Sequence, residues 1–198
     1  PPPRSPSLSP PAASVPKPIS VEMYTESHRI LGRIDPGPMG LFSYLNIPTT
    51  NYLEVEGAHL NRLHQPGRMV ARFQTLWLVK DEIVTVLLSS RAEIGPSGVA
   101  RGGYSTMVPH WVHLVLGGYE LRGQVETPGK FNYGSFMIEG DRIFIPLYNT
   151  ELIAILFPDI RASSPAMLFN REMVDAIALL PKEAIPPHSS PEPTRAAP

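Results

Sequence analysis

The feature that most constrains this chain is a strand–turn–strand pattern that it carries twice. Val112, Leu114 and Leu116 alternate with His113 and Val115, the two-residue period of a strand with one buried face. Gly117-Gly118 follows and supplies a turn that tolerates positive φ. Leu121, Gly123 and Val125 resume the alternation. A glycine inside a strand marks a bend or the close approach of another backbone. Gly140-Asp141 signals a further turn, and Ile143, Ile145 and Leu147 line one face of a third strand. Residues 112–147 therefore predict a small, strongly bent antiparallel sheet. This is a signal of fold and names no chemistry.

The second occurrence lies upstream. Val21 falls on Val112, Met23 on Leu114, Ile30 on Leu121, Gly32 on Gly123 and Ile34 on Val125. After one extra residue near Thr127, Pro36-Gly37 falls on Pro128-Gly129, Ser43 on Ser135, Tyr52-Leu53 on Phe144-Ile145, Val55 on Leu147 and Leu60 on Leu152. The ends match by laying Leu78–Leu87 on Leu168–Ile177, with Glu82 on Glu172 and Val84 on Val174. The copies lie about 91 residues apart, longer than the usual solenoid unit. Two domain-sized copies joined by a linker fit that spacing.

Composition narrows the function classes. At 198 residues the chain suits one or two domains, and its 42% hydrophobic content suits a packed core. A net charge of −1 supplies no global field toward nucleic acid or an anionic membrane. With no cysteine, disulfides, thiolate catalysis and cysteine-ligated zinc or iron–sulfur sites are excluded. No apolar run approaches the roughly 20 residues of a membrane span. The first residue is Pro1 rather than methionine, which predicts a fragment or a processed product.

In chain order, residues 1–18 are proline-rich and predict a disordered spacer. The first copy spans 19–91. Within it, Leu41–Asn46 reads as a short helical turn or a bent strand, and Tyr52–Glu56 alternates with Glu54 and Glu56 outward. Met69–Val79 is a long strand, and Ile83–Leu88 is an inner strand. Residues 92–107 form a flexible linker and 108–181 the second copy. Residues 165–180 are ambiguous between helix and strand by composition, and the repeat favours strand. Residues 182–198 read as a disordered tail.

Val112-His-Leu-Val-Leu-Gly-Gly-Tyr-Glu-Leu-Arg-Gly-Gln-Val-Glu resembles the opening strands of the Sm-like family, in its bacterial host-factor RNA-chaperone branch. Leu168–Ile177 resembles that family's closing apolar–basic–apolar strand. The middle of the copy is longer than the family pattern. The whole unit also resembles uncharacterised bacterial domains with a glycine-containing strand, a short Ser/Asp-Leu-Asn segment (here Ser135-Phe-Met, and Ser43-Tyr-Leu-Asn46 in the first copy) and a Phe-Ile-Pro-Leu strand (here Phe144–Leu147, and Tyr52–Val55 in the first copy). The resemblance implies a small barrel. Its RNA-binding branch places a basic residue and then a histidine before the closing strand. This chain has Arg171-Glu172 there, and Asp81-Glu82 in the first copy, so the implied RNA site is damaged in one copy and absent in the other.

Catalytic constellations are not apparent. His110 and His113 are three apart on a strand, which points them to opposite faces rather than at one metal. His59 and His64 flank a loop. No phosphate-binding glycine loop or nucleophile elbow is present. Arg62, Arg68 and Arg72 interleave with Phe73 and Trp77, and with Arg171 they are the candidate nucleic-acid contacts. Trp77 is assigned to the core.

These residues predict an all-β chain of two tandem small antiparallel barrels of the SH3/Sm type with disordered proline-rich ends. They predict a non-catalytic interaction or assembly module with no cofactor or metal. Its partner is a protein, or further copies of itself, held through edge strands. The alternative is an Sm-like single-stranded RNA binder. A cytoplasmic location is expected.

Overall fold

In the computed structural model, which describes residues 17–96, 107–138 and 142–181, the alternation becomes strands in both copies. The first copy holds β1 (Ile19–Tyr24), β2 (His28–Ile34), α1 (Gly40–Leu45), β3 (Tyr52–Arg62), β4 (Met69–Val79) and β5 (Thr85–Leu88). The second holds β6 (Met107–Leu116), β7 (Tyr119–Pro128), α2 (Tyr133–Met137), β8 (Phe144–Ala154), β9 (Arg161–Asn170) and β10 (Val174–Leu179). The chain is all-β apart from short helical turns. The predicted proline-rich segment falls largely, and the predicted tail wholly, outside the described residues, as does most of the linker.

The ten strands form one open antiparallel sheet in the order β10-β6-β7-β8-β9-β5-β1-β2-β3-β4. Each half contributes five neighbours in the same relative order, and β5 pairs with β9 to join them. The halves are therefore hydrogen-bonded to each other, a contact that two copies joined by a linker do not by themselves predict.

The bend has the same cause in both halves. Ladder register shifts between Leu31 and Arg33 and again between Arg122 and Gln124. Opposite those shifts, Gly57 (φ 59°) and Asn149 (φ 49°) take the left-handed conformation, which glycine and asparagine tolerate best. Across from each bulge sits the strand glycine. A Cβ on Gly123 would lie 2.7 Å from Leu147 Cγ and 2.9 Å from the Tyr148 carbonyl oxygen. A Cβ on Gly32 would collide with Val55 Cγ1 and approach the Glu56 carbonyl to 3.1 Å. Val55 corresponds to Leu147 and Glu56 to Tyr148, so Gly32 and Gly123 occupy corresponding places.

The ends of the copies correct the sequence alignment. The expected closing strand over 168–177 is two strands separated by a 3-10 turn at Arg171–Met173, and its counterpart breaks at Lys80–Glu82. Lys80 N–H donates to Asn51 O and Arg171 N–H to Ile143 O, both at 2.8 Å. Lys80 thus corresponds to Arg171, one residue away from the match that pairs Glu82 with Glu172. The ladders agree, with Val86 opposite Met23 and Ile177 opposite Leu114. Because side chains alternate faces, that slip would have turned every residue of the strand to the wrong side.

Two apolar cores form, and each draws on both halves. The first contains Met23, Ile30, Leu53 and Val55 with Val86 and Leu88 from β5, plus Phe144, Ala166 and Leu168 from the second half. The second contains Leu114, Leu121, Leu147 and Leu152 with Met167 and Phe169 from β9, plus Tyr24, Val84 and Leu87 from the first half. Alternate residues of β5 and β9 therefore serve different cores, and all four residues of β5 are buried, as its uninterrupted hydrophobic run predicts.

Candidate interaction surface at the sheet edges

The β5–β9 joint defines what a buried edge looks like in this molecule. Thr85, Val86, Leu87 and Leu88 lie opposite Phe169, Leu168, Met167 and Ala166. Side chains tie the ladder further: Thr85 Oγ1 donates to Leu168 O at 3.3 Å and Ser164 Oγ to Leu88 O at 2.5 Å. Asn170 N–H donates to Val84 O at 2.9 Å beyond the end of β5.

Two further contacts brace the joint. Asn46, just past α1, donates from Nδ2 to Phe144 O at 3.0 Å and accepts from Phe144 N–H at 2.9 Å. The side chain thereby behaves as an extra strand residue at the start of β8. On the other side, Tyr119 Oη donates to Thr25 O at 2.5 Å, and its ring meets Tyr24 edge-on at 5.6 Å between centroids. Burial pushes both phenols far above the ordinary tyrosine range, and at Tyr24 the hydrogen bond to Glu22 adds to it.

Lys80 is buried too. Its Nζ donates to Tyr44 O at 3.0 Å and to Ile47 O at 3.2 Å, and burial lowers its pKa. It stands where the second half has Arg171, so a basic residue does precede β5. Its protons are committed to the end of α1, away from solvent.

The two outer strands contrast with the joint. β4 corresponds to β9, yet Trp77 is 63% exposed where Leu168 is fully buried. β10 corresponds to β5, yet Leu179 is 53% exposed where Leu88 is 2%. Phe73 and Val79 on β4 are also exposed. The sequence reading put Trp77 in the core. Leu76 and Leu78 pack against the core, and Trp77 between them faces outward.

The candidate nucleic-acid residues divide between the halves. Arg62 ends β3, Arg68 lies in the following turn, and Arg72 is on β4 opposite His59; all three are exposed. Arg72 shares a shallow open groove with Arg33, Glu56 and Phe73, where the Glu56 carboxylate lies 3.8 Å from Arg33. Arg171 is in the other half, half-buried in the turn before β10. His110 bonds Gly129 O at 2.9 Å, while His113 faces Arg122 and Glu120. Among the described residues no group of three His, Asp or Glu could hold a metal, and no helix is long and apolar enough to cross a membrane.

The sequence reading missed Asn46 and Tyr119 as bracing residues. In the sequence Asn46 is only part of a short Ser-Leu-Asn segment, and its partner Phe144 lies far away. No family model, no curated protein and no solved structure matches this chain.

Proposed function

We propose that this chain is a non-catalytic assembly module, built from two copies of a small SH3/Sm-type barrel and acting through its edge strands β4 and β10. The observation that carries this reading is the outward Trp77 on β4, at the place where the corresponding Leu168 of β9 is sealed by a partner strand. An unpaired strand presents a row of amides and carbonyls ready to accept another strand. An exposed tryptophan on such an edge is the type of anchor that dominates interface energetics. The repeated strand order in the two halves supports the barrel description.

The test compares the wild-type chain with a doubly blocked variant, Trp77→Glu with Ala178→Glu, as bait in extract from the cells that make it. Both positions are exposed, and an unchanged circular dichroism spectrum checks that the variant is folded. The reading expects partners held by the wild type and released by the variant. Equal retrieval by both contradicts it. The alternative, single-stranded RNA binding, draws on the three exposed arginines of the β3–β4 hairpin. It expects affinity that falls steeply with salt, and no binding at low salt removes it.

A further inference from the structure

We infer that the partner at these edges is a second copy of this chain, joined head to tail: β4 of one copy pairs antiparallel with β10 of the next, in the register that β9 keeps with β5. The inference rests on the edge-strand reading and supplies its partner. The β5–β9 joint is itself a contact between two versions of one unit, made by two different surfaces of that unit. A contact of this kind uses one surface on each side and leaves the complementary surface free at each end. Those free surfaces are β4 and β10.

Carrying the joint over by correspondence gives a definite register. Phe169 opposite Thr85 becomes Leu78 opposite Ala176, and Leu168 opposite Val86 becomes Trp77 opposite Ile177. Met167 opposite Leu87 becomes Leu76 opposite Ala178, and Ala166 opposite Leu88 becomes Thr75 opposite Leu179. The bond from Asn170 N–H to Val84 O becomes one from Val79 N–H to Asp175 O. In this register Trp77 of one copy enters the core beside Ile177 and Leu179 of the next, as Leu168 enters the core that holds Val86 and Leu88. The outward apolar residues of both edges are covered together.

An independent pair supports the same operation. Asn46 corresponds to Ile138, and Phe144 to Tyr52. Asn46 clasps the Phe144 backbone across the joint. At the free ends, Ile138 is 75% exposed and Tyr52 is also exposed. The operation that mates β4 with β10 brings Tyr52 of one copy onto Ile138 of the next. A polar clasp inside the chain is thus replaced by an apolar contact between chains, and both halves of that contact are now in water. Two separate pairs of exposed apolar residues are matched by one movement.

The experiment is complementation between edge-blocked chains, read by light scattering after size-exclusion chromatography. Trp77→Glu blocks β4 alone and Ala178→Glu blocks β10 alone. Wild-type protein is expected as species of several copies, either a closed ring or a growing filament. Each single variant is expected as a monomer, because each lacks one member of that joint. Their equimolar mixture is expected to form dimers and nothing larger, with the intact β10 of the first chain seated on the intact β4 of the second. Either variant dimerising alone overturns the inference, since that would require like edges to pair. A mixture that stays monomeric, or variants that keep the wild-type size, also overturns it. A wild-type chain that is monomeric throughout the micromolar range removes the second copy as partner. The bait experiment then decides the edge-strand reading separately.

Discussion

Strands β9 and β4 hold the same place in the two halves and have opposite fates. β9 is covered on both sides, by β8 and by β5, and its last five residues are buried. β4 has β3 on one side and, among the described residues, no strand on the other, and most of its residues are exposed. Their sequences fit these fates only in part. β9 carries the small Ser164 and Ala166 where the neighbouring strand crowds in, while β4 carries Phe73 and Thr75 at those places. Yet β4 also carries Trp77, the larger residue, at the place of Leu168. The lesson is that burial of a strand face depends on whether a neighbour is present, and the residue types alone do not report which neighbour has arrived.

The comparison breaks most visibly at Leu168 and Trp77. Leu168→Ala leaves a cavity in the first core and is expected to cost about 3 kcal/mol of unfolding free energy. Trp77→Ala, measured in the Ala178→Glu background where the edge stays unpaired, is expected to change stability by less than about 0.5 kcal/mol. Chemical denaturation of the two variants checks this, and equal losses would mean that β4 is already covered in the single chain. The bend glycines come next. Gly123→Ala meets both a side chain and a backbone carbonyl and is expected to cost about 3 kcal/mol. Gly32→Ala, with a more distant carbonyl, is expected to cost about 2 kcal/mol. The same denaturation series ranks them.

Asn46→Ala is expected to cost about 2 kcal/mol, because it leaves the Phe144 amide and carbonyl without their partner at the joint. Ile138→Asn places asparagine at the corresponding free end. It is expected to leave the stability of the single chain within about 0.5 kcal/mol of wild type while changing the strength of self-association.

The joint should also be sensitive to alkali. Tyr24 and Tyr119 have folded-state pKa values raised above their unfolded value of 10.0. Below pH 10 both states keep the phenolic proton and the contribution is fully present. Above it the unfolded chain ionises first, so stability falls as pH rises. Lys80 acts in the opposite sense. Its folded pKa is lowered, so the cost of its buried charge is relieved as pH climbs from that lowered value to 10.5. Melting curves between neutral pH and pH 11 are expected to turn downward past pH 10. Tyr119→Phe is expected to flatten that fall.

Much of the fold was legible because its signals are local. The alternation at Val112–Leu116, the Gly117-Gly118 turn and the strand glycines at 32 and 123 each reflect what one stretch of backbone can do. The buried run over 83–88 was legible for the same reason. The split between β9 and β10 was not. It depends on Asn170 capping the turn and on Arg171 N–H bonding the carbonyl of Ile143, just before β8, while matching acids at 82 and 172 favour a slipped alignment. The union of the halves was also hidden. Phe144, Ala166 and Leu168 read as apolar residues of the second copy, and nothing near them in sequence says that they complete the core of the first. Arg62, Arg68 and Arg72 lie along the β3–β4 hairpin and Arg171 in the other half, but the surface that distinguishes this molecule is the pair of strands that, among the described residues, have a neighbouring strand on one side only.

The most direct measurement is a disulfide trap of the joint between copies. The chain has no cysteine of its own, so Thr75→Cys with Leu179→Cys introduces one thiol on each free edge. Directly opposite residues in an antiparallel ladder sit about 4.5–5.5 Å apart at Cα, within disulfide range. Oxidation is expected to give covalent chains of two, three and more copies that collapse to the single chain on reduction. Moving the first cysteine two places, Phe73→Cys with Leu179→Cys, is expected to abolish the ladder. Equal cross-linking from both pairs, or none from either, would contradict the account.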